Sequence, residues 1–202
     1  MAKSPPLRRM IVGITGASGT IYGIRVLEAL RALKIETHLV VSRGGDQTRS
    51  IETDWSAAKL RALADKAYAP ADISAAIASG SFRTMGMIVA PCSVRTLSEI
   101  AHGVTSSLVS RAADVCLKER RRLVLMFRET PLHAGHLRSM LAVTEMGGIV
   151  APPLPAFYAK PRTIDDIVTH SVARALDLFD LDTKSFPRWT GPPAAGRQQS
   201  GK

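Results

Sequence analysis

The feature that most restricts the fold is the stretch VGITGASGTIYGIRVLEAL, residues 12–30. It opens as an apolar strand, passes through a turn of small residues, and closes with apolar side chains at helical spacing. Gly13, Gly16 and Gly19 punctuate it, with Thr15 and Ser18 among them. Glycine lets a ligand approach the backbone, and the free amides at a helix start attract anions. A tight strand-to-helix connection without a ligand would use the same residues. The glycines miss the G-x-G-x-x-G spacing of a dinucleotide site, and no Gly-Lys-Ser/Thr follows to make a Walker A loop.

The alternation continues along the chain. RRMIVGIT is the first predicted strand and TIYGIRVLEALRAL the first helix. ETHLVVS is a second strand ending at Ser42, with a polar helix from about Asp46. DKAYAPADISAAIASGSF keeps neither period, and its Pro, Gly and Ser content reads as surface connections. GMIVAP is a third strand, leading into PCSVRT. Two helical stretches run from about residue 96 to 117, interrupted near Gly103, and RLVLMF is a fourth strand. PLHAGHLRSMLAVTEMG is a helix stopped by Gly147 and Gly148. IVAPPLPAFY holds a short strand and a proline-rich loop. TIDDIVTHSVARALDLF is the last helix, with Thr163 as its N-cap. The expectation is one domain over residues 1–189 and a disordered tail over 190–202.

Strands alternating with helices of this length imply an α/β fold with a mostly parallel sheet and right-handed crossovers. Ligands in such folds bind outside the carboxyl ends of the strands. Four turns fall there: TGASG, the turn after Ser42, PCSVRT and the FRETP segment.

Composition narrows the partners. No apolar run approaches the roughly 18 residues that span a bilayer. The start, MAKSPPLRRM, has no signal-peptide core, and cytoplasm is the expected compartment. Cys92 and Cys116 are too few for a disulfide framework or a cysteine-rich zinc site. The formal charge of +10 points to anionic partners. The densest cluster, LKERRR at 117–122, suits a helix C-terminus, the rest is scattered, and no nucleic-acid motif accompanies it. The chain therefore reads as a phosphate handler rather than a polymer binder.

Individual residues each have a plainer reading. Cys92 invites a nucleophile role but has no His nearby in sequence, and packing accounts for it better. Lys118, Arg128 and Arg174 could share a phosphate, Arg as a fork and Lys as a point charge; singly each is a surface cation. Arg128 and Glu129 form an ion-pairable duo at a strand's carboxyl end, whereas spacing alone would not nominate Glu52. His133 and His136, three apart on a helix, have metal-binding spacing but no third ligand, so helix packing is the better reading. Asp165 and Asp166 do not extend into an aspartate-rich pattern for magnesium and a diphosphate.

Taken together, VGITGASGTIYG, ETHLVVS, SIETDW, ASGSFRTMGMIVAPCSVRTL, SRAADVCLKERRRLVLMFRETPLHAGHL, PPLPAFYAKPRTIDDIV and FPRW resemble the UbiX-type flavin prenyltransferases. They stand in the family's order from about residue 10 to 189. The resemblance implies a flavodoxin-like (Rossmann-like) three-layer αβα sandwich that binds FMN, assembles as a homo-oligomer, typically a dodecamer, and uses no metal. It implies transfer of a dimethylallyl group from dimethylallyl phosphate to N5 and C6 of reduced FMN, the product serving a UbiD-type decarboxylase. Matched by motif, Gly16, Ala17, Ser18, Ser42, Ser93, Val94, Arg95 and Thr96 would contact FMN. Arg128 would lie where flavin and substrate phosphate meet, and Lys118, Tyr158 and Arg174 would hold the dimethylallyl phosphate. Glu129 matches an acidic residue implicated in proton transfer to the departing phosphate, with Ser18 close by, and Glu52 matches another acidic active-site position. Arg111 is a weaker candidate, equally suited to structure or subunit contact. Arg43, Gly44 and Gly45 make the turn after Ser42 more glycine-rich than the family pattern, which bears on its flexibility.

Two other readings stay open. FMN-dependent cysteine decarboxylases are similar in strand order, but carry a PASANT-like turn where this chain has PCSVRT, and an early catalytic His where this chain has only His38, inside a predicted strand. A non-catalytic FMN-binding subunit of a decarboxylase complex would keep the same binding residues, although storage alone would not require Glu52, Lys118, Glu129, Tyr158 and Arg174 together.

Overall fold

The computed structural model describes residues 8–186 together with Gly191. The rest of the expected tail, and residues 187–189 of FPRW, lie outside the described residues. In chain order the elements are β1 (Arg9–Ile14), α1 (Thr20–Ala32), β2 (Glu36–Val41), α2 (Arg43–Glu52), α3 (Ala57–Arg61) and β3 (Lys66–Tyr68). A 3-10 turn at Ala76–Ala78 precedes β4 (Gly86–Cys92), α4 (Val94–Ala101), α5 (Leu108–Lys118) and β5 (Arg122–Phe127). Then come α6 (Ala134–Glu145), β6 (Ile149–Val150), a second 3-10 turn at Phe157–Ala159, and α7 (Ile164–Asp177).

Among the described residues six strands form one sheet in the order β3-β2-β1-β4-β5-β6, and every pairing is parallel. Both faces of such a sheet must be covered, and strand side chains alternate between them. Met10, Val12 and Ile14 of β1 point into one apolar layer with Ile24, Leu27 and Leu30 of α1 and Val172 and Leu176 of α7. Ile11 points into the opposite layer, with Leu97 of α4, Val109 and Ala112 of α5 and Val143 of α6. This is the expected three-layer α/β fold. The chain reverses its direction of progress across the sheet between β1 and β4, and the crevice at that switch point opens at the carboxyl ends of the strands.

Two expectations are corrected. The segment read as surface connection contains β3, which pairs His38 with Lys66 and Val40 with Tyr68. It is three residues long, and its first two residues are exposed, so no alternation marks it. The polar helix starts at Arg43, not Asp46, because the Ser42 hydroxyl accepts the Gly45 amide at 3.0 Å and caps it. Gly44 and Gly45 are therefore the first turn of α2 rather than a loose connection. Thr163 caps α7 as expected, its hydroxyl accepting the Asp166 amide at 3.1 Å.

Candidate active site at the carboxyl edge of the sheet

The ends of β1 and β4 are joined through one buried side chain. The Thr15 hydroxyl donates to the Pro91 carbonyl at 2.8 Å and accepts the Ser93 amide at 2.8 Å. That fixes TGASG against PCSVRT across the switch point. Ser93 then caps α4, accepting the Thr96 amide at 3.3 Å, and Ser107 caps α5 in a reciprocal capping box with Ser110. With Ser42 on α2, three helices begin with serine caps around one hollow of about 440 Å³. Gly16, Ser42, Ser93, Thr96 and Ser107 line it, Arg43 and Arg95 add cations, and Glu99 adds a carboxylate. Helix N-termini carry unpaired amides and partial positive charge, so the hollow is built for an anion. Gly45 lets α2 reach this position: a Cβ there would stand 2.6 Å from the Ile14 carbonyl oxygen.

The fourth helix start, that of α1, is already occupied. Glu52, the last residue of α2, accepts the Gly19 amide at 2.8 Å and the Thr20 amide at 3.1 Å on one carboxylate oxygen. Gly19 holds φ of +105°, a conformation natural to glycine, which turns these amides toward Glu52. Burial opposes the Glu52 charge, but the Ser18 hydroxyl, the two amides and Arg128 outweigh it and hold its pKa below the usual carboxylate range. Arg128 follows β5, its amide donating to the Cys92 carbonyl at 3.1 Å, and its side chain is exposed. Burial raises the pKa of the nearby Tyr22 phenol against the pull of Arg128. Glu129 is exposed next door and accepts the Thr130 amide at 2.9 Å.

One chain thus gathers Gly16, Ala17, Ser18, Ser42, Glu52, Ser93, Val94, Arg95, Thr96, Arg128 and Glu129 along its carboxyl edge. It does not bring the other predicted residues there. Lys118 ends α5, on the side from which β5 starts, and its ammonium lies 2.6 Å from Glu119. Arg174 is in the last turn of α7 and pairs with Asp177 at 2.7 Å. It lines a separate hollow of about 430 Å³ with Tyr158, whose hydroxyl is 3.3 Å from His170 Nε2. Arg111 pairs with Asp114 at 2.8 Å and donates to the Ala78 carbonyl. The largest of these cavities, about 530 Å³ between α1 and α7, holds none of the predicted residues.

Cys92 is fully buried and burial raises its thiol pKa strongly, as packing requires and a nucleophile does not. His133 and His136 form a capping box at the start of α6, their rings stacked at 3.6 Å, and each Nδ1 faces a backbone amide. Among the described residues no group of three or more His, Cys, Asp or Glu could hold a metal ion. Sequence reasoning passed over Thr15, Tyr22, Arg43, Glu99 and Ser107 as site residues. Thr15 and Arg43 stand in two of the turns nominated for a ligand, and Ser107 is a serine directly before an apolar run; Tyr22 and Glu99 had no such signal.

The flavoprotein family model matches residues 2–176. The flavin prenyltransferase UbiX of Neisseria meningitidis serogroup B is 58% identical over 185 residues, which cover 92% of this chain and 98% of that protein. The crystal structure of AnUbiX (PadA1) in complex with FMN and dimethylallyl pyrophosphate superposes with a TM-score of 0.91 at 54% identity, covering 92% of this chain and 99% of that one. A dodecameric FMN-dependent UbiX-like decarboxylase from Escherichia coli O157:H7 gives a TM-score of 0.89 at 53% identity over 91% of this chain and all of its own. No helix among the described residues is long and apolar enough to cross a membrane. With its parallel sheet, its anion hollow at the switch point and these likenesses, the chain belongs to the UbiX-type flavin prenyltransferases within the flavoprotein family.

Proposed function

We infer that this chain transfers a dimethylallyl group from dimethylallyl phosphate to N5 and C6 of reduced FMN, making prenylated FMN for a UbiD-type decarboxylase. The observation that carries this is the convergence of three serine-capped helix starts on one hollow at the sheet edge that also carries Glu52 and, within its electrostatic reach, Arg128. Because Glu52 already occupies the start of α1, the FMN phosphate belongs with α2, α4 and α5, where Arg43 and Arg95 stand at the rim. The ring system then extends past Gly16, Ala17 and Ser18 toward Arg128. The residues present fit the flavin: amides and cations for its phosphate, a close glycine backbone for its body.

Reduced flavin supplies the electron-rich carbon and nitrogen that accept the prenyl group. The chain's own residues must bind the donor, stabilise its departing phosphate and exclude water. Breaking an allylic C–O bond leaves negative charge on phosphate, and each well-placed cation contributes about 2–4 kcal/mol to stabilising it. Arg128 is such a cation within one chain. Lys118, Tyr158 and Arg174 lie away from the carboxyl-edge hollow, so they serve a site in a neighbouring copy of the homo-oligomer. The dodecameric relative supports an assembly of that kind. Glu129 is the proton donor to the leaving phosphate. Ser18 holds Glu52, whose lowered pKa suits a fixed anion rather than an acid. The two unpaired cysteines accord with a cytoplasmic setting.

The test is anaerobic incubation of the protein with reduced FMN and either dimethylallyl phosphate or its pyrophosphate, followed by mass spectrometry of the extracted flavin. The second donor is included because a related structure holds it. A flavin enlarged by one prenyl unit, made with the monophosphate and lost with Glu129→Gln, is expected. Bound but unmodified FMN with both donors would replace this reading with that of a flavin carrier.

A further inference from the structure

Glu99 has no place in the chemistry just described, yet it lines the flavin-phosphate hollow. Its side chain is 14% exposed, and one carboxylate oxygen accepts two hydrogen bonds. Arg95 Nε donates to it at 2.8 Å from one turn earlier in α4, and the Ser106 hydroxyl donates at 2.9 Å from the connection into α5. The Glu99 backbone carbonyl takes the Val104 amide of the same connection at 2.8 Å. Without Glu99, Arg95 would be an untethered surface side chain, since its own exposure is 82%. A carboxylate beside an anion site is unfavourable through space unless it does something else there.

We propose that Glu99 is a positioning residue for flavin binding: its carboxylate fixes Arg95 and the Ser106–Ser107 connection, so that the rim of the hollow is set before the phosphate of FMN arrives. This rests on the placement of the flavin phosphate proposed above. A rim held in place does not have to be ordered on binding, which is where its effect on affinity comes from. The effect must appear on the phosphate end of the ligand, because Glu99 lies away from the Glu52–Arg128 end. It must also survive loss of the charge, because an amide oxygen can accept the same two hydrogen bonds.

The experiment is titration of the full-length protein with FMN and with riboflavin, which lacks the phosphate, for wild type, Glu99→Gln, Glu99→Ala and Ser106→Ala. Wild type is expected to prefer FMN; equal affinity for the two flavins would overturn the phosphate placement itself. Glu99→Ala is expected to lower the FMN-to-riboflavin preference about tenfold, the size of a lost charged tether, with riboflavin changed less than about twofold. Ser106→Ala removes one of the two ties while Arg95 keeps the other, and is expected to lower the preference about threefold, less than the loss of both. Glu99→Gln is expected at or above the wild-type preference, since the ties persist and the like charge is gone. A wild-type preference left unchanged or raised by Glu99→Ala, an equal loss for both flavins, or a Glu99→Gln as weak as Glu99→Ala would each overturn the role of Glu99 while leaving the phosphate placement standing. Should Glu99→Ala not fold, Glu99→Gln and Ser106→Ala decide: a loss of preference in the first, or none in the second, overturns it.

Discussion

A carboxylate can be a catalytic group, an ion-pair partner or a helix cap, and Glu52 is a cap in the middle of an active site. It closes α1 from the end of α2, 33 residues beyond the first amide that it accepts. Nothing local in SIETDW announces that, since capping residues usually precede their helix directly. His38 illustrates the opposite situation, a titratable side chain away from the proposed chemistry. It is fully buried, with Nδ1 2.8 Å from the Tyr68 hydroxyl and Nε2 2.9 Å from Glu36. Burial lowers its pKa; the Glu36 carboxylate pulls it upward, and Arg9 and Lys66 add to the lowering. The unfolded chain therefore takes up a proton at higher pH than the fold does, so the contribution of His38 to stability is present above the ordinary value of 6.5 and is lost as pH falls below it. His170 shifts in the same sense through burial. We expect the unfolding free energy from urea titrations to fall between pH 7.5 and 5.5, by no more than about 1.4 kcal/mol per pH unit for one proton. In His38→Gln the decline should be shallower; an equal slope in the variant would remove His38 from this account.

At the scale of elements, the contact between β1 and the first turn of α2 decides whether the anion hollow exists. In Gly45→Ala the new methyl would meet the Ile14 carbonyl, which is backbone inside the sheet and cannot turn aside. The helix must back away instead. Overpacking of this kind costs about 1–3 kcal/mol, and the displaced Ser42 cap should weaken FMN binding as well. Thermal melting and flavin titration on one preparation would check both, and an unchanged melting temperature would contradict the close approach. These elements also show what was legible beforehand. The β1, β4 and β5 strands are near-continuous apolar runs because both of their faces are covered, and β2 shows the same signal only in its second half, Leu39 to Val41. The β3 strand is an edge of three residues whose pairing depends on β2, and no local pattern encodes a partner. The turns around the hollow were legible through their serines and glycines. Lys118, just before the predicted strand RLVLMF, was legible as lying at its amino end; the contact of Tyr158 with His170 and the hollow it shares with Arg174 were not, because no local pattern places a proline-rich loop on a helix.

At the scale of the whole molecule, the separation of these residues makes the proposed site a property of the assembly. Lys118 and Arg128 flank one strand, β5, and lie at opposite edges of the sheet. Lys118→Ala and Arg128→Ala should each be inactive as pure proteins. Co-assembled in equal amounts they should recover about a quarter of wild-type turnover, the random share of symmetric interfaces that draw an intact Lys118 from one copy and an intact Arg128 from another. No recovery in verified mixed oligomers would mean that both residues act from one chain. The sheet itself says how such copies can meet. Its two outer strands are only three and two residues long, β3 at one margin and β6 at the other. Strands that short offer too little open backbone to template a further strand, and long bare margins are what seed fibrils. In the proposed assembly, the described margins leave copies to meet through side chains, which permit a closed particle of fixed size where backbone pairing would favour endless growth.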